Sequence, residues 1–439
     1  MKNSKVILFV NAIRPATFAA LEKHFQNTGQ KLVPYVFVNS HIEDRVITRN
    51  GQLNHKSKAK FISADINNSA SVIDALSKIE GKVIALVSQY ENSMDEYKKL
   101  IPYFPNLYLP TSESIDWATE KKLMREKLEE YNKNLVPKFL KIHNNSLKTI
   151  LEVEKNIEYP LIIKPSGLEG SLLVSLVRDR KELKTSLAKG FELIQHAYDF
   201  WIKRQKPFFL AEEFMDGDMY SVDCYVDRFG EVNHTPLVRV ITGHSVGFDD
   251  FFGYMRITPS DISKEDVKLA KKAAEDACKA LNLKSLTAHV ELMHTATGWK
   301  IIELGPRIGG YRHEMYGQSY GINHIMNDIL NRAGEKPIIP DKLLGYSAMF
   351  NIHAREEGIF ESFSGDDIVK LLESFVNIKQ RYEIGEKLLF ARHNGDTVFD
   401  IMLFNSDKEI LLKDIHKMEK ALKINVATQK QKALATNNK

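Results

Sequence analysis

Short unbroken apolar runs, separated by segments with helical spacing, fill the first hundred residues. VILFV (6–10), VPYVFV (33–38), AKFIS (59–63) and VIALVS (83–88) have the length and character of buried strands. Between them, Phe18–Phe25 and Ala70–Ile79 repeat their apolar positions at helical intervals. Strand–helix alternation predicts an α/β unit, a parallel sheet with helices on its faces. The polar stretch Asn50–Lys58, with Gly51, is expected to be an exposed loop.

Pro102, Pro105 and Pro110 mark a boundary. Ser112 or Ser114 then caps a predicted helix running to about Tyr131, with Trp117, Met124, Leu128 and Tyr131 as its apolar stripe. Lys121 falls on that stripe. A lysine there either snorkels along apolar surface or serves a buried anion, and spacing alone favours the first.

From Tyr159 to about Asn233 the pattern turns to strands (PLIIKP, LLVSLV, FFLAEEFM, MYSVDCYV), interrupted by a helix at 181–203. A helix at Lys264–Leu281 and a hairpin at 285–304 follow. Beyond Pro337, strands are expected near Ser347–His353 and Lys387–Ala391, and helices near Asp366–Phe375 and Ile415–Leu422. The divisions are therefore 1–110, 111–336 with a subdomain at about 135–212, and 337–427. The tail 428–439 has too little apolar sequence to fold.

Composition narrows the function. At roughly 100–200 residues per domain, 439 residues allow two to four domains. A net charge of +4 without clustered Lys/Arg gives no support to nucleic-acid or membrane binding. Cys224 and Cys278 cannot build a disulfide framework, so a reducing, cytoplasmic setting is expected. The opening apolar run, Val6–Val10, is too short for a secretion signal and reads as a strand. No segment approaches the ~20 apolar residues of a membrane span.

The most informative segment is HVELMHTATGWKIIELGPR (289–307). Thr297–Gly298 is a turn signal, and centring the turn at Thr297 places Glu291 directly opposite Glu303, with Glu291 on the face of His289 and Thr287, and Glu303 on that of Ile301 and Trp299. Opposed Cβ atoms lie about 4.5–5.5 Å apart, and like charges there need compensation. A hard divalent cation with nucleotide phosphates supplies it; the alternative is a shifted register with both carboxylates in solvent. Arg307 and the run Ile308-Gly309-Gly310 add a cation and bare amides suited to an oxyanion.

Two further segments suit a nucleotide. In YPLIIKPSGLEGSLLVS (159–175), Lys164 ends a strand, and Gly167 and Gly170 bracket a loop with Ser166 and Ser171, able to fold over phosphates. A simple glycine turn is the alternative. In FFLAEEFMDGDMYSVDCYV (208–226), Glu212 and Glu213 end a strand where they can meet an adenine amino group or a ribose hydroxyl, or simply form a solvated corner.

Taken in order, EKKLMR (120–125), IIKPSGLEGS (162–171), AEEFMDGDMYSVD (211–223) and HVEL…IIELGPRIGG (289–310) resemble the ATP-grasp superfamily, most closely its carboxylate–amine ligases such as L-amino acid ligases and carnosine-synthase-like enzymes. The resemblance implies the ATP-grasp fold: an N-terminal α/β domain, an α+β ATP-binding part with a lid, and a C-terminal extension. It implies ATP and Mg²⁺ (or Mn²⁺) as cofactors, small-molecule carboxylate and amine substrates, and a possible homodimer. Lys121, Lys164 and Ser171 would meet ATP phosphates, which decides Lys121 in favour of function. Glu212, Glu213, Phe214 and Met215 would form the adenine hinge, Glu291 and Glu303 would hold the metal, Arg307 would stabilise the acyl phosphate, and Gly309 and Gly310 would line the carboxylate site. The chain departs from the family at Met219, where many members have a ribose-binding glutamate and Asp218 is the nearest substitute. It departs again at Gly305, where many have a metal-binding asparagine, and at Leu172-Leu173 in the glycine loop.

The implied reaction forms an acyl phosphate from ATP and a carboxylate, which an amine then attacks. No protein nucleophile with suitable partners is evident. The loop VRVITGHSVGFDDFFGYMRI (238–257) is expected to meet the second substrate, with His244 as a candidate and Arg239 and Arg256 as a possible carboxylate clamp. With no histidine-phosphorylation or biotin-carrier motif, carboxylation and thiol ligation rank lower; a nucleotide-binding protein without turnover is the alternative from another class.

Overall fold

The four apolar runs of the first hundred residues pair as β1 (Lys5–Val10), β2 (Leu32–Asn39), β3 (Lys60–Ala64) and β4 (Lys82–Val87), a parallel sheet ordered β3-β2-β1-β4. Parallel strands covered on both faces need continuous apolar sequence, and Val6 through Val10 are fully buried. The structure, a computed structural model, describes residues 4–42, 58–168, 171–200 and 206–428. The predicted loop at Asn50–Lys58, save Lys58 itself, lies outside them, as do Gly170 and the tail after Thr428.

A second, antiparallel sheet occupies the segment expected to form the lid: β5 (Phe139–Ile142), β6 (Leu161–Pro165), β7 (Ser175–Val177) and β8 (Phe209–Glu213), ordered β5-β8-β6-β7. Helices Leu147–Asn156 and Arg180–Phe200 share its core through Val153, Leu183, Leu187 and Phe209.

The central sheet begins with β9 (Gly217–Val226), β10 (Val232–His234), β11 (Val238–Thr242), β12 (Gly253–Thr258), β13 (Leu286–Thr295) and β14 (Gly298–Gly305). It continues past position 337 through β15 (Tyr346–Ile352), β17 (Phe375–Gln380) and β19 (Phe399–Asn405), in the order β14-β13-β9-β11-β12-β15-β19-β17 with β10 beside β9. Most strands after 337 thus extend the sheet that carries the glutamate pair. The remainder, β16 (Gly358–Ser364), β18 (Lys387–Leu388) and β20 (Lys423–Ala427), form a small separate sheet. Helix Lys264–Ala280 packs an alanine face (Ala270, Ala273, Ala274, Ala277) under β9, β13 and β14. No helix of the described residues is long and apolar enough to cross a membrane.

Several expectations need correction. The single helix to Tyr131 is two, Ser112–Thr119 and Lys121–Tyr131, broken at Glu120, whose backbone is extended (φ −111°, ψ 112°). Its cap is Thr111, which accepts from the Ser114 amide. No Pro or Gly marks the break. Contacts with the lid fix it: the Lys121 amide donates to the Ser166 carbonyl, and the Ser166 hydroxyl to Glu120. Tyr131, expected on the buried stripe, is 48% exposed. The helix near Asp366 stops at Lys370 and gives way to β17; the one near Ile415 begins seven residues earlier, at Lys408; the strand near Lys387 is two residues long.

Asp223 on β9 ties these layers together. Fully buried, it accepts from the Gly309 amide (2.8 Å), meets His289 Nδ1 on β13 (2.5 Å), and meets His324 Nε2 on helix His324–Arg332 (2.6 Å). That helix packs its Ile325, Met326 and Ile329 against the N-terminal sheet. Burial pushes the Asp223 carboxyl up, but the two histidines outweigh it and hold it well below its usual range. Asp223→Ala leaves two histidines and an amide unmatched, and urea unfolding is expected to show a loss of about 3–5 kcal/mol.

Candidate active site

The hairpin brings Glu291 and Glu303 into register as partners. The turn, however, is the two-residue Ala296–Thr297 loop between Thr295 and Gly298, which by itself pairs Leu292 with Ile301. A bulge at Ile302 adds the residue that restores Glu291 to Glu303. The bulge also corrects the expected facing. Ile301 and Trp299 lie in the buried core with Val290 and Leu292, while Glu303 joins Glu291 on the opposite, cavity side.

Both carboxylates are partly exposed, at 33% and 27%, in a cavity of about 770 Å³. Each has its own counter-group. Lys121 lies 3.0 Å from Glu303 and donates to the lid carbonyl of Leu168 at 2.6 Å. Burial works against the Lys121 charge, but Glu303 and Glu91 more than offset it, and its pKa is raised. His289 Nε2 stands 3.4 Å from Glu291. Burial pushes the Glu291 carboxyl up, yet His289, Arg312 and Arg256 bring it down to about 2.

Lys164, on β6, reaches Glu212 at 2.7 Å. Glu212 is buried and already holds Arg125 through a two-pronged contact (2.9 and 3.1 Å). Burial pushes its carboxyl up, but Arg125 and Lys164 overcome this and hold it at about 2. With one carboxylate shared by two cations, Lys164 is the group that yields. Burial lowers it to about 8, Arg125 and Lys121 contribute, and Glu212 opposes. The side chain of Glu212 is therefore committed to lysine and arginine rather than open to a base. Phe214 and Met215 line the cavity, and neither takes a main-chain hydrogen bond among the described residues. Glu213 lines it too, with its amide bonded to the Lys138 carbonyl. Ser171 is on the wall, and two residues on, the Leu173 amide donates to the Arg392 carbonyl, tying the loop to the C-terminal segment.

Other candidates are not brought to the wall. Asp218 is at the surface, paired with Arg239 (2.9 Å); Met219 lines the cavity. His244 stacks on Phe251 (5.0 Å between centroids) outside the lining. Gly309 and Gly310 also lie outside it. The Gly309 amide is taken by Asp223, and a Cβ at 309 would meet His289 Nδ1 at 2.5 Å, so only glycine fits there.

Arg307 is on the wall, 3.0 Å from Glu91. Glu91 follows β4 of the N-terminal sheet, and its carboxylate occupies the space beside Gly305, 3.1 Å from where a Cβ would stand. Glu91, Arg125, Asp223 and Arg312 are the residues that sequence reasoning missed. Only Glu91 carried a signal, its place just past the carboxyl end of a parallel strand, where ligands of open α/β sheets bind.

A lid lysine and a helix lysine over a facing pair of glutamates, beneath an antiparallel lid, define an ATP-grasp architecture. Residues 157–314 match the ATP-grasp domain family, and the chain carries an ATP-grasp domain. It is 25% identical over 201 residues to the D-alanine–D-alanine ligase of Pelagibacter ubique, covering 45% of this chain and 59% of that one. It is 23% identical over 365 residues to the 3-methyl-D-ornithine–L-lysine ligase of Methanosarcina mazei, covering 80% and 88%. The first two curated relatives are matched over only 57% and 59% of their own length. The solved L-amino acid ligase of Bacillus licheniformis has the same fold, with a TM-score of 0.74 at 20% identity over 98% of this chain and 100% of that one.

Side-chain NMR of Lys164 is expected to give a titration midpoint near 8, against about 10.4 for an ordinary lysine. Arg125→Met removes a neighbouring positive charge and should raise that midpoint.

Proposed function

We propose that the protein is an ATP-dependent, ADP-forming ligase that joins a carboxylate to an amine through an acyl phosphate. The observation that carries this reading is a single cavity in which Glu291 faces Glu303, Lys121 bridges Glu303 to the lid, and Lys164 and Arg307 stand on the same wall.

A carboxylate oxygen of the first substrate attacks the γ-phosphorus of ATP, and ADP leaves with the bridging oxygen. The amine nitrogen of the second substrate attacks the acyl carbon, and phosphate departs with the C–O bonding pair as the amine loses its proton. Little covalent chemistry is asked of the protein, so positioning and charge stabilisation dominate. Lys164 and Lys121 hold the phosphates from the lid and the helix start, with Ser171 on the loop above them. Phe214 and Met215 offer peptide groups to the adenine. Arg307, held by Glu91, faces the oxyanion of the tetrahedral intermediate.

Glu291 and Glu303 fit Mg²⁺, or Mn²⁺, because that cation is bound by one or two carboxylates while phosphates and water fill its other positions. Among the described residues, no cluster of three or more such ligands competes with that pair. When bound, the cation would neutralise phosphate charge. Glu291 and Glu303 would be the residues that hold it, since Gly305 contributes no side chain.

Pooled amino acids with ATP and Mg²⁺ should release ADP and phosphate in equal amounts. Mass spectrometry should find a condensed product one water lighter than its parts, and hydroxylamine should intercept the acyl phosphate as a hydroxamate. Glu303→Ala and Arg307→Met are each expected to lower turnover by about 10²–10³-fold. Full turnover in Glu303→Ala would sink the metal assignment, and no ADP release with any mixture would leave a nucleotide-binding protein without turnover.

A further inference from the structure

The lid segment is bonded to the rest of the chain at two edges. At one, Lys121 donates to the Leu168 carbonyl, and the Ser166 hydroxyl to Glu120. At the other, the Leu173 amide donates to the Arg392 carbonyl at 3.1 Å.

The turn Ser171–Val174 at this second edge is not one that its residues adopt readily. Ser171 (φ 62°) and Leu173 (φ 59°) both have left-handed backbone, and neither is glycine. A bulky side chain is rare there, because its Cβ crowds the backbone. The Val174 amide closes the turn on the Ser171 carbonyl (3.1 Å), and Leu172 is buried in the lid core. Such a conformation persists where its surroundings over-determine it. Arg392 supplies a bond from outside the lid.

Arg392 is held in turn by the loop expected to meet the second substrate. It lies in the short 3-10 turn Ala391–His393. Its amide donates to Asp250 Oδ2 (3.0 Å), and its guanidinium to the Asp249 carbonyl and carboxylate (2.5 and 2.6 Å). The other Asp250 oxygen accepts from the Phe251 amide at 2.8 Å. Ala391 packs with Phe248 and Phe252 beside this link. Asp250 is only 5% exposed. Burial pushes its carboxyl up, and the two amides and the Arg392 charge offset this only in part. A carboxylate kept in such a place gives both amides a charge-assisted bond, the strong kind.

Leu173, Arg392 and Asp250 stand just behind the cavity wall, and their neighbours line it. Ser171 and Leu172 do so from the lid, Ala391 and Thr397 from the C-terminal segment, and Phe251 and Phe252 from the loop. Three stretches of wall, far apart in sequence, are therefore joined by one chain of bonds, from Leu173 through Arg392 and Asp250 to Phe251. It runs from the lid, where phosphates are expected, to the loop expected to meet the amine.

We propose that Asp250 is a positioning residue that, through Arg392, latches the lid turn across the cavity and so keeps water from the acyl phosphate. This rests on the ligase reading above and adds how its intermediate is retained. With the latch open, a water oxygen attacks the acyl carbon. The C–O bond to phosphate breaks, phosphate departs with the bonding pair, and the water loses its proton. The free carboxylate is regenerated, ATP is consumed, and no amide forms.

The test measures ADP released per condensed product, with the full chain, ATP, Mg²⁺ and pooled amino acids. Wild type should release the two in nearly equal amounts. Asp250→Ala should raise the ratio at least about threefold, the scale of losing bonds to a charged acceptor, while KM for ATP stays within about twofold. Asp250→Asn keeps one acceptor oxygen and should fall between. Arg392→Ala removes the tie to Asp249 but no main-chain bond, and should raise the ratio less than Asp250→Ala. If Asp250→Ala does not fold, Asp250→Asn decides on the same criterion. Turnover and product that fall together at an unchanged ratio would make Asp250 merely structural and overturn the proposal. So would wild type that already releases ADP in large excess. If no mixture turns over, the ligase reading fails, and the latch is judged by amide hydrogen exchange with Mg²⁺ and adenylyl imidodiphosphate present. The Leu173 amide should then exchange about tenfold faster in the Asp250 variant while β6 is unchanged. Equal exchange at Leu173, or faster exchange throughout the lid, would overturn it.

Discussion

Two carboxylates facing one another across a hairpin repel, and the cavity is organised around that repulsion. Glu291 and Glu303 each have a separate counter-group, His289 for one and Lys121 for the other, brought from different directions. Lys121 does this from the first turn of a helix whose start is fixed by the lid, so one side chain links the Glu303 carboxylate, the helix and the lid carbonyl. The arrangement suits a site that meets a tetra-anionic nucleotide. Lys121, Lys164 and Arg307 are already paired, so an anion arriving at them exchanges partners rather than neutralising bare charge, which limits the desolvation that binding must overcome.

Behind that wall, a second line of buried polar groups keeps the geometry. His289 passes from Glu291 to Asp223, Asp223 to His324, and His324 to the Tyr225 hydroxyl. The same Asp223 receives the Gly309 amide, so the glycine run after Arg307 is fixed to β9. Arg125 performs the equivalent service beside Lys164. It holds Glu212 and also donates to the carbonyls of Ile301 and Ile302 at the bulge. Such partners determine where the contacting side chains point.

Local pattern revealed the parallel sheet, the hairpin, Lys164 and the partnership of Glu291 with Glu303, because each is written in a contiguous run of residues. The partnership was nevertheless reached through a symmetric turn that the structure replaces with a tighter turn and a bulge. The two differ by one residue at each feature and cancel, and alternation alone cannot tell them apart. What stayed hidden depends on contacts across large separations in the chain. The break at Glu120 is fixed by Ser166, the counter-charge of Arg307 comes from Glu91, and Arg312 reads as an ordinary helix residue until Ser221 is seen beside it. His244 and Asp218 failed to reach the cavity for the converse reason: their local chemistry was suitable, but their strands and loops carry them outward.

The tie between Glu91 and Arg307 reaches outside the matched domain. The segment that matches the ATP-grasp domain family is 157–314, yet the cavity wall also draws on Glu91 and Lys121 before it and Asn351 and Thr397 after it. An excised domain with those family boundaries would keep both glutamates and lose Lys121, the partner of Arg307 and much of the far wall. The matched domain and the cavity wall are thus not the same set of residues. Grafting the first onto another scaffold would transplant the motif while leaving behind half the electrostatics that make it usable.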